Sequence, residues 1–264
     1  MNDEQTQTVA QQRPTDIVSP IGDQVLPLRT TAADARKAGR AAYEKPTPDN
    51  SIMLFIDHQI GLMASVRDFA QASGYKANVL ALAQMAGALG IPVLLSSSNA
   101  QWQNGDLLPE LKEIFNDQPI HRRTGIINAY EDPTFRAALE DLVARTGRRH
   151  IIISGVTLGT CVTLPTLAMI NDGYVVHPVV DASGAWSKYE AEAAMQRMSA
   201  AGAQLNTVYA LGAELQADWK LPSGDSMLPP FINGLPEYGW VVQHFWNNAD
   251  PAKRPVPDPF GLVK

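Results

Sequence analysis

The sequence predicts an α/β protein with a doubly wound, mostly parallel sheet and helices on both faces. Three observations predict it. Short, nearly continuous apolar runs recur at SIMLFID (51–57), IPVLLSSS (91–98) and RHIIISGV (149–156), the pattern of strands buried on both faces. Helical stretches of roughly 10–16 residues separate them, long enough for the crossover that a parallel pairing needs. The runs also end on polar residues, where ligands collect in sheets of this kind, beyond the carboxyl ends of the strands.

Residues 1–49 are polar and turn-rich, with Pro14, Pro20, Pro27, Pro46 and Pro48, and read as an extension outside the core. A short helix is expected within it over AADARKAGRAAYE. The core domain is expected over 50–220. SIMLFID opens it as a strand. YKANVLALAQMAGALG (75–90) has helical periodicity and stops at Gly90, and IPVLLSSS follows as the second strand. LLPELKEIF reads as a short helix and PIHRR as a short extended piece. DPTFRAALEDLVARTG (132–147) is an amphipathic helix closed by Gly147, leading into RHIIISGV. CVTLPTLAMINDG (161–173) is a helix, YVVHPVVDA (174–182) a strand and YEAEAAMQRMSAAG (189–202) a helix. AQLNTVYAL (203–211) reads as a last strand or strand-like run. Residues 221–264, rich in proline and aromatics, read as an irregular tail. Its Trp240, Phe245, Trp246 and Phe260 make it too apolar to float free, so subunit contacts in a homo-oligomer are expected.

Bulk properties narrow the function. A net charge of −6 and a pI near 5.3 oppose a nucleic-acid partner, which draws a basic surplus. No run of about 18 apolar residues predicts a membrane span, and MNDEQTQTVAQQ lacks the basic and apolar regions of a signal peptide. The single cysteine allows no internal disulfide. The expectation is a cytoplasmic protein with a small-molecule substrate. Several chemistries find no motif. No GxGxxG follows the first strand, no phosphate-binding loop is present and no GxSxG elbow occurs. The five histidines show no metal-ligand spacing, so neither metal nor cofactor is expected, and His177, inside a strand pattern, reads as a core histidine.

Three residues remain as candidates. Cys161 follows a strand by a short loop and opens a helix, where the peptide dipole favours thiolate and free N–H groups can bind an oxyanion. Read alone, a lone cysteine is as readily a small buried hydrophobe. Asp57 ends a buried strand, a costly place for a carboxylate without a task or a partner, so it is a base for Cys161, the N-cap of a turn or half of an ion pair with an arginine. Arg123 would place a fixed positive charge there and could also grip a substrate carbonyl or carboxylate; its neighbour Arg122 would take that place after a one-residue slip.

FIDHQIGLM, LPELKEIF, RTGIINAY, IIISGVTLGTCV and the run from VVDASGAW to DW together resemble the isochorismatase-like cysteine hydrolase superfamily, in its YcaC-like branch. The likeness covers roughly 50–220 in the family's order. It implies a three-layer, Rossmann-like fold with Asp57, Arg123 and Cys161 as the catalytic triad. It also implies a non-proline cis peptide at Val156–Thr157, with the Thr157 and Cys161 N–H groups as oxyanion hole. The basic residue is arginine where most amidases of the superfamily carry lysine; the YcaC-like branch looks arginine-bearing too. The loop before the cysteine is T-L-G-T, without the threonine often found three positions before it, and the zinc-binding members' D-x-H motif has no equivalent. The resemblance implies hydrolysis of a small amide-like (C–N) substrate through a thioester. The other reading is a non-catalytic binding or scaffold protein on the same fold with a redox-sensitive thiol.

Overall fold

A computed structural model describes residues 43–67 and 74–254. Most of the N-terminal extension, with most of its expected helix, and Phe260 of the tail lie outside the described residues. Five strands form one parallel sheet: β1 (Ser51–Ile56), β2 (Val93–Ser98), β3 (Ile120–Arg123), β4 (His150–Gly155) and β5 (Val175–Pro178). Their spatial order is β3-β2-β1-β4-β5. The chain winds outward from β1 in one direction, then returns beside β1 with β4 and continues in the other. The crevice between the carboxyl ends of β1 and β4 is therefore the switch point, where open α/β sheets bind ligands.

Alternation along the central strand explains the layering. Ile52, Leu54 and Ile56 face one side, packing with Phe135 and Leu139 of α4 (Pro133–Thr146), Met169 of α5 (Thr163–Asn171) and Met198 of α6 (Lys188–Ala201). Met53 and Phe55 face the other, toward Val79, Leu82 and Met85 of α2 (Tyr75–Ala88). Two short helices, α1 (Ile60–Met63) and α3 (Pro109–Ile114), follow β1 and β2. Asp132 caps α4 by accepting the Thr134 and Phe135 N–H groups, and Gly147 closes it in the left-handed conformation at φ 71°.

Two expectations are corrected. The strand expected over 203–211 is only a short parallel bridge, Val179 to Asn206; from Val208 the chain is helical, α7 (Val208–Gln216). Thr207 caps it by accepting the Ala210 N–H, and burial of Val208, Leu211 and Leu215 overrides the β-branched and aromatic character of VYAL. The tail is not irregular. It holds α8 (Gly224–Gly234) and α9 (Pro236–Asn248), and Met227 and Phe231 of α8 belong to the same core as α2. Gly234 allows that approach: a Cβ there would lie 2.5 Å from the Ala81 Cβ. Among the described residues, no helix is long and apolar enough to cross a membrane.

Candidate active site

The three candidates come from three strand ends and converge at the switch point. Asp57 follows β1 with φ 56°, in the left-handed region, and is wholly buried. Its N–H donates to the Ser96 carbonyl at 3.0 Å, so β2 holds the turn. Arg123, the last residue of β3, reaches across β2. Its Nη2 donates to Asp57 Oδ2, and its Nε donates to Ser96 Oγ at 3.0 Å. Ser96 Oγ in turn donates to Asp57 Oδ1 at 3.2 Å, and Arg123 Nη1 donates to the Ile126 and Ile127 carbonyls. Every nitrogen of Arg123 thus has a protein acceptor. These bonds use four of its five N–H groups and share the guanidinium among four residues. Arg122 points outward to Asp106 at 3.4 Å, so the one-residue slip does not occur.

Cys161 lies in a single π turn (Leu158–Val162) between β4 and α5. Such bulges often mark functional sites. Its thiol lies 3.6 Å from Thr160 Oγ1, and the Asp57 carboxylate is near enough for its charge to act on it. Burial, then the negative charge of Asp57, push the thiol up to about 12; Thr160 and the Arg123 charge pull the other way and lose. The thiolate expected from the helix N-terminus is therefore not the resting state, because desolvation outweighs the dipole. The Val156–Thr157 peptide bond is cis. In the turn, Leu158 donates its N–H to the Gly184 carbonyl, and Thr160 and Val162 donate theirs to the Thr157 carbonyl.

The two residues after Asp57 brace the site. His58 is wholly buried; its Nδ1 meets Tyr75 Oη and its Nε2 meets Ser154 Oγ at 3.0 Å, tying β1 to α2 and β4. Burial lowers its pKa to about 3, so it is neutral at any ordinary pH. Gln59 donates to the Ser98 and Gly105 carbonyls and accepts the Ser98 N–H at 2.8 Å. Sequence reasoning reached Ser96 only as one of the polar residues at a strand end and gave it no role in holding Asp57 and Arg123. The signal was a hydroxyl in the apolar run of a strand buried on both faces. His177 is in the core, stacked on His150 at 5.2 Å, but it is not the fully satisfied core histidine expected, because its Nδ1 has no hydrogen-bond partner. The segments that follow β1, β2, β3 and β5 expose Ile60, Trp102, Ile127 and Trp186. Among the described residues, no cluster of three or more potential metal ligands occurs.

The Isochorismatase domain model matches residues 51–209. The chain is 37% identical over 196 residues to "Probable hydrolase YcaC" of Escherichia coli, covering 74% of this chain and 91% of that one. The solved structure of the Escherichia coli protein, described as an octameric hydrolase of unknown specificity, is 36% identical with a TM-score of 0.72, over 78% of this chain and 98% of that one. The Pseudomonas aeruginosa YcaC, solved with hexane-2,5-diol and covalent acrylamide, is 38% identical with a TM-score of 0.71, over 77% and 98%. With its five-stranded parallel sheet and its match from β1 to the start of α7, the chain belongs to the isochorismatase family of hydrolases, in the YcaC-like branch.

Proposed function

We propose that the chain is a cysteine-dependent hydrolase of small amide-like (C–N) substrates, working through a thioester on Cys161 with chemistry supplied by its own side chains. The carrying observation is the convergence at the switch point of the Cys161 thiol and an Asp57 carboxylate that Arg123 and Ser96 hold in place, close enough for the carboxylate charge to act on the thiol. A thiol pushed up to about 12 is a poor nucleophile at rest, so attack requires the proton to leave as the new bond forms. Sγ bonds to the substrate carbonyl carbon while the thiol proton passes to Asp57. The carbonyl oxygen becomes an oxyanion facing the Thr157 and Cys161 N–H groups. Asp57 then gives its proton to the leaving nitrogen, the C–N bond breaks, and an amine departs. Water attacks the thioester with its proton going to Asp57, and the acid product leaves as the thiol is regenerated. Arg123 has no proton to exchange; it orients the carboxylate and offsets its charge.

The covalent acrylamide on the Pseudomonas aeruginosa relative supports a reactive nucleophile on this scaffold. The scaffold-only reading with a redox-sensitive thiol fits less well. Thiolate is the form that oxidises readily, and burial beside a carboxylate suppresses it. The octameric Escherichia coli relative supports a homo-oligomer here. The exposed Trp240, Val241 and Phe245 of α9 are the candidate contacts. The reading assigns the work to the cytoplasm. A screen of small amides and esters tests the function. Cys161→Ala should abolish turnover, by at least about 10³-fold, with the fold retained. An alanine variant with wild-type activity would end the proposal.

A further inference from the structure

Glu190, in the first turn of α6, sits outside the triad. Ser187 caps α6 by accepting the Glu190 N–H at 3.1 Å, and in the usual reciprocal arrangement the glutamate would reach back to the N–H of its cap. Here its carboxylate goes elsewhere. Oε1 accepts the Gly159 N–H at 3.1 Å, inside the nucleophile turn, and Oε2 accepts the Trp186 N–H at 2.7 Å. The packing is tight: a Cβ on Gly159 would lie 2.8 Å from Glu190 Cγ and 2.9 Å from its Oε1. Two further bonds tie the same segments. Leu158 donates its N–H to the Gly184 carbonyl at 2.7 Å, and Trp186 Nε1 donates to the Leu62 carbonyl at 3.0 Å. The segment after β1, which begins with Asp57, is thereby linked through Leu62, Trp186 and Glu190 to the turn that carries Cys161.

We infer that Glu190 is a positioning residue: its two oxygens lock the Gly159 and Trp186 N–H groups, and so set the turn that aims the Thr157 and Cys161 N–H groups at the substrate oxyanion. This rests on the reading of Cys161 as nucleophile. A carboxylate suits the task because each oxygen accepts one N–H. A glutamine has a single acceptor oxygen, and its NH₂ would face the other donor.

Cys161 is the only cysteine, so thiol reagents report on it alone. Two reagents separate aim from proton loss. Acrylamide adds the thiol across its C=C bond: sulfur bonds to the β-carbon, negative charge builds on the carbonyl oxygen, and the proton ends on the α-carbon. Methyl methanethiosulfonate has no carbonyl; sulfur takes the methylthio group, methanesulfinate leaves, and the thiol proton goes to solvent. Glu190→Gln should slow acrylamide by roughly ten-fold or more and the thiosulfonate by less than about three-fold, since losing one oxyanion donor outright costs more than that. Gly159→Ala, which pushes Glu190 away, should give the same split. Glu192→Gln, which removes an exposed carboxylate paired with Lys188 at 3.6 Å on the same helix, should change neither rate. Equal slowing of both reagents, or of neither, in both Glu190→Gln and Gly159→Ala overturns the inference. A wild-type protein that shows no preference for acrylamide over the thiosulfonate, relative to glutathione, overturns the oxyanion reading itself and this inference with it.

Discussion

Replacing Asp57 with asparagine separates two quantities that usually move together, the acidity of a thiol and its reactivity. In the native site burial and the Asp57 charge push Cys161 up to about 12. At pH 7.5 the equilibrium thiolate is then about 3 parts in 10⁵, against about 9% for a free thiol near 8.5, a handicap of roughly 3,000-fold. Asp57→Asn removes the negative charge that, after burial, does most to raise that thiol. The thiol therefore becomes more acidic, still held above its ordinary value by burial. If reaction needed only preformed thiolate, the variant would alkylate faster than wild type. If Asp57 removes the proton during attack, the variant alkylates more slowly at pH 7.5 despite its lower pKa. Thiolate absorbance near 240 nm gives the first quantity and the pH profile of iodoacetamide inactivation the second. The expected result is a downward shift of the titration together with a slower reaction. A variant that reacts faster at pH 7.5 would refute Asp57 as base. Asparagine keeps an acceptor for Arg123, but weakening a buried pair can cost about 3–5 kcal/mol, so both rates are read on protein whose circular dichroism matches wild type.

Acid should weaken the fold through two histidines. Burial lowers His58 and His177 to about 3, so the native state stays unprotonated while the unfolded state binds protons below about 6.5. Stability is thus present above that pH and lost as pH falls from 6.5 toward 3, at about 2 kcal/mol per histidine by pH 5; Tm at pH 7 and 5 measures it, and an unchanged Tm would contradict the burial argument. Arg123→Ala should cost about 3–5 kcal/mol in urea unfolding, because it strands a buried carboxylate, whereas Arg122→Ala should stay within about 0.5 kcal/mol; equal losses would contradict the geometry. Phe231→Ala, in the buried face of α8, should cost about 3–5 kcal/mol, and a chain cut after Lys220 should fail to fold rather than merely dissociate. A soluble, folded product of that cut would show α8 to be dispensable.

What was legible in the sequence follows from where each signal is stored. β1, β2 and β4 announce themselves because burial on both faces demands apolar residues throughout, and the meeting of Asp57, Arg123 and Cys161 at strand ends follows from sheet topology. The α8 segment was hidden by Pro229 and Pro230, which lie inside the helix, where proline removes backbone hydrogen bonds. Burial of Met227, Phe231 and Ile232 holds it helical against that cost, and burial is a tertiary fact. Glu190 reads as an ordinary polar residue of a helical first turn, because its distant partner Gly159 meets it only after β4 and β5 are side by side. The acidity of Cys161 was inverted for the same reason. Its helix N-terminus is a local feature that favours thiolate, and the desolvation that overrides it comes from packing that no spacing records. Local signals locate the groups; the surroundings built around them decide whether a thiol rests charged or protonated.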